Sequence, residues 1–94
     1  MTINTLLLAI GSTEPTTFGE LCNALGPDRP AKGDKRGWRD LFLAIEAAEQ
    51  DGLLFAERED SRIARLILSN KGADRARGLL DQRRGLLVLA EGYE

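Results

Sequence analysis

Charge in this sequence concentrates between residues 28 and 39, where Arg29, Lys32, Lys35, Arg36 and Arg39 stand against two carboxylates, Asp28 and Asp34. The residues before this segment include Glu14 and Glu20 and no basic side chain. A chain whose formal charge is -2 does not coat polyanions by bulk attraction, so any phosphate chemistry has to be local, and this is where the local balance turns positive. Lysine and arginine at such density supply charge-assisted donors for phosphate oxygens. The alternative for the cluster is a solvated helix face with charges paired at i and i+4. A second basic set is thinner. Arg58 and Arg62 flank Asp60-Ser61, but Glu57, Glu59 and Asp60 surround them and bring the local sum near zero. Carboxylates beside an arginine hold its fork in place and also lower the potential that a phosphate feels.

Other chemistries are closed by what is missing. Cys22 is the single cysteine and histidine is absent, which excludes an internal disulfide and leaves neither a zinc cluster nor a histidine acid/base site. Glu46 and Glu49 lie close together on one helix, but no histidine, cysteine pair or glycine-rich phosphate loop accompanies them. The expectation is therefore a protein that is not an enzyme, with no catalytic residues, no metal and no cofactor. Cys22 falls on an apolar stripe with no basic neighbour, so it reads as a small buried hydrophobe and not as a reactive thiol. The apolar run Leu6 to Ile10 is too short to span a bilayer and follows no basic residue, so the reading is cytoplasmic, without membrane contact.

The elements that position the charges follow from caps and periodicity. Ninety-four residues without a linker-like stretch fit one domain over 1–94. Thr2 caps a first helix over Ile3 to Ile10 that Gly11 stops. Thr17 and Glu20 match a capping box for a second helix, whose apolar positions are Phe18, Leu21, Cys22 and Leu25 and which ends at Gly26-Pro27. Gly26 to Gly37 reads as a long exposed loop with no packed element. The third helix should run from near Lys35 to Gln50, with Trp38, Leu41, Phe42, Ile45 and Ala48 as its apolar stripe and Asp51-Gly52 as its stop. Trp38, on that stripe, is expected to face the core. Leu53 to Glu59 and Arg62 to Ser69 form a hairpin about Asp60-Ser61, in which Ile63, Arg65 and Ile67 alternate with Ala64, Leu66 and Leu68. Ser69 caps a last helix, about 70–90, with Ala73, Ala76, Leu80 and Leu87 on one stripe, which Gly78 and Gly85 weaken, leaving room for a kink or a break near Gly85.

The fold class is thus mainly α with a small β-hairpin, in the order helix-helix-helix-strand-strand-helix, the connectivity of a winged helix-turn-helix. Asp51-Gly52-Leu53-Leu54, the charged hairpin, and Leu68-Ser69-Asn70-Lys71-Gly72 resemble the third helix, wing and start of the next helix in MarR-like and PadR-like transcriptional regulators. Thr17 to Gly26 resembles their second helix. The loop from Gly26 to Gly37 departs from the tight turn usual there.

The resemblance implies double-stranded DNA as partner, with the third helix in the major groove and the wing on the backbone or minor groove. Lys35, Arg36 and Arg39, on the first turns of that helix, would meet phosphate together with the free amides of the helix start, and Lys32 lies just before them. Arg36 and Arg39 also suit a guanine edge, with Asp40 and Gln50 as weaker readers. Arg58 and Arg62 would serve from the wing. The resemblance further implies a homodimer through the first and last helices, which the apolar run Leu86 to Ala90 favours. Repression by occlusion is the expected mode, since 94 residues leave no room for an added effector or activation domain. The competing expectation is a winged-helix module for protein partners, favoured by Leu43 and Ala47 on the outward face of the third helix.

Overall fold

The structure is a computed structural model that describes residues 1–11 and 13–91, with the backbone alone for 83–91. Four helices and three strands follow one another as α1 (Ile3–Ile10), β1 (Thr16–Thr17), α2 (Phe18–Leu25), α3 (Lys35–Gln50), β2 (Leu54–Glu59), β3 (Arg62–Leu68) and α4 (Asn70–Glu91). The architecture is mainly helical with a small antiparallel sheet. Local chemistry sets the boundaries. Thr2 Oγ1 accepts the Thr5 amide at 3.2 Å and Thr17 Oγ1 the Glu20 amide at 3.1 Å, each satisfying a donor that has no partner inside its helix. Gly11 turns left-handed and donates its amide to Leu7 O.

Helix α1 carries no charged side chain and none of its residues is exposed, so it occupies the middle of the molecule. It touches α2, α3, α4 and β3. Around its buried Leu6, Leu7 and Ile10 the core is closed by Leu21 and Leu25 of α2, Leu41, Ala44, Ile45 and Ala48 of α3, Leu54, Leu66 and Leu68 of the sheet, and Ala76 of α4. Burying a leucine contributes about 1.5–3 kcal/mol, so this cluster is the main opponent of chain entropy. Cys22 is buried on α2, as its stripe implied. Phe42 is not in the core. It lies on the flank of α3, 42% exposed, and stacks on Phe18 at a centroid distance of 5.8 Å.

The sheet has the order β1-β3-β2. Thr16, and Thr17 expected as a helix cap alone, pair with Leu66 and Arg65 as a strand that the sequence does not announce, because two residues leave no periodicity to read. In the hairpin the register shifts by one between the pairs Glu57–Arg65 and Arg58–Ile63, leaving Ala64 as an extra residue in a β-bulge. Strict alternation puts Ile63 with Arg65. The bulge instead turns Ile63 to the core side, where it packs partly buried against the edge of the cluster, and pairs it with Arg58.

The stretch between α2 and α3 also differs from the expectation of an unpacked loop. It opens with a single 3-10 turn over Gly26–Asp28, buries Pro30, and is bonded to Trp38, whose Nε1–H donates to Ala31 O at 3.1 Å. Of the prolines and glycines that break regular periodicity here, Pro30 is the one that is buried, while Gly26, Pro27 and Gly33 are exposed. In α4 the stripe holds to Ala76, but Leu80 is 42% exposed, so the helix leaves the body there. It continues through Gly85 to Glu91 as one unbroken helix. The side chains of Leu86 to Ala90, and with them Leu87, lie outside the described residues.

The chain leaves α3 and enters α4 at one junction. Ser69 Oγ donates to Gly52 O at 2.6 Å and accepts the Gly72 amide at 3.1 Å, while Ser69 N–H donates to Leu53 O at 3.0 Å and Lys71 Nζ to Asp51 O at 3.0 Å. The two short motifs on either side of the hairpin are therefore halves of one contact. A Cβ on Gly72 would run into the carbonyl of Leu53, a backbone group that cannot swing aside. Gly72→Ala is expected to lower the free energy of unfolding by about 2 kcal/mol or more, read from urea melts. Wild-type stability in this variant would mean the approach is looser than described.

Candidate nucleic-acid interface

Asp34 defines the start of α3. Its Oδ1 accepts the Gly37 amide at 3.1 Å, and a side chain at Gly37 would collide with that same carboxylate and approach Pro30 to 3.0 Å. The absence of a Cβ at Gly37 lets the loop close onto the helix. Lys35, Arg36 and Arg39 follow on the first turns, all exposed, with exposed Lys32 two residues before the cap. Among the described residues the ion pairs are Arg58–Glu49 and Arg77–Asp74, so these four cations have no carboxylate partner there.

The expectation that free amides at this helix start add to the pull on phosphate is not met, because they are largely taken. Lys35 N–H donates to Gly33 O, Gly37 N–H to Asp34 Oδ1 and Trp38 N–H to Asp34 O, and the Asp34 carboxylate answers the helix dipole itself. Phosphate attraction here rests on side chains. Along the outward face of α3 come Asp40 and Leu43, the latter 50% exposed, with Ala47 half-buried and Gln50 exposed at the end.

The hairpin contributes unequally. Because β2 points Leu54, Ala56 and Arg58 to one face, Arg58 lies on the side of α3, and its guanidinium forks onto Glu49: Nη2 donates to Oε1 at 2.6 Å and Nη1 to Oε2 at 3.1 Å. The bond to Arg58 holds the Glu49 carboxyl below its ordinary range, and Glu49 in turn raises Arg58. Arg58, expected to face a ligand, is thus spent on bracing the hairpin against α3. Sequence reasoning placed Glu49 near Glu46 and missed this partner, since Glu49 and Arg58 lie on different elements. Arg62 stays exposed without an ion pair among the described residues.

Between α3 and the hairpin a hollow of about 550 Å³ is lined by Phe18, Phe42 and Ile63, with Glu46, Arg58, Ser61 and Arg62 at its edge. The bulge supplies Ile63 to it. At the hairpin tip Asp60 and Ser61 both take positive φ, 49° and 66°, as a two-residue turn between twisted strands requires. Among the described residues no group of three or more His, Cys, Asp or Glu could hold a metal.

Two outcomes follow. Ser61→Gly removes a side chain from the left-handed region and should raise stability by about 0.5–1 kcal/mol in thermal or urea melts, the relief of strain exceeding the entropy glycine adds to the unfolded chain. Glu49→Gln should lower the melting midpoint at neutral pH. A carboxyl whose folded value is depressed stabilises above its unfolded value and loses that contribution as pH falls through the folded one, so the gap between the two proteins should close in acid. A gap independent of pH would deny the pairing its role. Comparison of the chain with family models, with curated proteins and with solved structures finds no match.

Proposed function

We propose that this chain is a winged helix-turn-helix regulator that binds double-stranded DNA sequence-specifically, with α3 in the major groove and the β2–β3 hairpin on the backbone or minor groove. The observation that carries the reading is the group of exposed cations Lys32, Lys35, Arg36 and Arg39 at the start of α3, without ion pairs among the described residues, in a molecule that is acidic overall. Arginine and lysine placed there reach phosphates flanking the groove, and Arg36 and Arg39 project from the face that would meet base edges. From the hairpin, Arg62 contacts DNA and Arg58 braces. Repression by occlusion of the operator belongs to this reading, and a two-fold contact made mainly by α4, with only the half-buried margin of α1 beside it, would space two copies of α3 about one DNA turn apart.

The test is an electrophoretic shift on duplexes selected from a random pool, repeated across a salt series. Arg36→Ala and Arg39→Ala should each weaken binding about tenfold or more, with sequence preference relaxed at the base the arginine reads, whereas Arg58→Ala should act through stability. Unchanged binding in both α3 variants would remove this helix from the interface. A second reading has its own observation: Phe42 and Leu43 are large apolar side chains left exposed on α3. A protein partner covers such groups, so absence of any shift at low salt, with loss of a recovered partner on Leu43→Asp, would favour a protein-interaction module.

A further inference from the structure

The segment between α2 and α3 is not a tether of free chain. Arg29 N–H donates to Gly26 O at 3.1 Å, Asp34 N–H to Ala31 O at 2.9 Å, and the Trp38 indole N–H to that same Ala31 O at 3.1 Å. Pro30 is buried between. The indole is itself held, half-buried, against Phe18 at a centroid distance of 6.3 Å. Ala31 lies between Arg29 and Lys32, so the bond that fixes its carbonyl fixes the backbone from which both cations spring. Both are exposed and neither has an ion pair among the described residues. They border one hollow of about 610 Å³, which Trp38, Pro27 and Pro30 also line.

We propose that this loop is a second phosphate-contacting element, with Arg29 and Lys32 closing on one backbone phosphate or two neighbouring ones, and with Trp38 as the residue that positions it. The inference rests on the DNA reading above and extends it from α3 to the loop. Opposing charges stand nearby: Asp28, Asp34 and Asp40 line an adjoining hollow that also borders Arg29. Asp34 is committed to the Gly37 amide, and Lys32 borders only the first hollow, which makes Lys32 the stronger of the pair. A pinned loop meets phosphate without the ordering cost that a loose one of this length would bear.

The experiment measures binding of the full chain to a mixed-sequence duplex by fluorescence anisotropy across a salt series. Each phosphate contact contributes about 0.9 to the slope of log affinity against log salt, so the Arg29→Ala/Lys32→Ala double variant should flatten it by about 1.8, with the ranking of specific duplexes unchanged. Trp38→Phe keeps a ring and deletes the donor. It should flatten the slope by a smaller amount, and the double variant should lose less when combined with Trp38→Phe than in the parent, a coupling that a merely structural tryptophan does not produce. A parental slope in the double variant, with Arg36→Ala flattening it, overturns the loop's role and leaves α3 in place. A lower melting point for Trp38→Phe with neither slope nor coupling changed overturns the positioning role. Absence of salt-sensitive binding by the wild-type chain removes the DNA reading and this inference with it.

Discussion

The presentation of α3 and the hairpin depends on one backbone constraint: the chain must return from β3 to within van der Waals reach of the place where it left α3. Ser69 makes that return by bonding Gly52 and Gly72 with a single hydroxyl, and the bare Cα of Gly72 lets the first turn of α4 sit on the Leu53 carbonyl. With the hairpin's two feet fixed together, the fork of Arg58 onto Glu49 adds a second tie to α3 nearer the tip. A surface composed of a helix and a ribbon thereby keeps one shape, as a surface that is to match a rigid partner requires.

Electrostatics divides the molecule in a way its net charge conceals. The hairpin's charges are balanced, with Arg58 bonded to Glu49 of α3, and with Glu57, Glu59 and Asp60 offsetting Arg62 and Arg65. The start of α3 does not, because its nearest carboxylate, Asp34, is turned to a backbone amide as a cap. Held on that amide, the carboxylate forms no ion pair with the cations beside it, although its charge still subtracts from their potential. The balance between those two effects, more than the count of basic residues, sets how strongly this end of the helix attracts an anion.

Helix boundaries were legible because each is written in a few adjacent residues: Thr2 and Gly11, Thr17 and Gly26, Asp51-Gly52, Ser69. The core was legible wherever a stripe was long. What escaped was whatever depends on two distant segments. Thr16-Thr17 becomes a strand only because Leu66 and Arg65 lie alongside it, and Ile63 faces inward only because Ala64 bulges. Phe42 shares the apolar character of its stripe but occupies its margin, where the hairpin does not fully cover it. Arg58 looked available since its partner lies nine residues upstream on another element. The loop, read from its prolines and glycines as an exposed stretch with no packed element, is held by an indole donor beyond its own end.

Strand β2 forms the outer margin of the sheet, since β3 alone pairs with it. Such a margin offers unmatched backbone donors and acceptors to any extended chain it encounters, and the exposed ring of Phe55 adds an apolar foothold. After Ala56 come Glu57, Arg58 and Glu59, and the bulge opposite them increases the local twist of the ribbon. An incoming strand could lie flat only over the first residues before meeting charge and curvature. The same irregularity that carries Ile63 inward therefore also guards this protein against open-ended self-stacking.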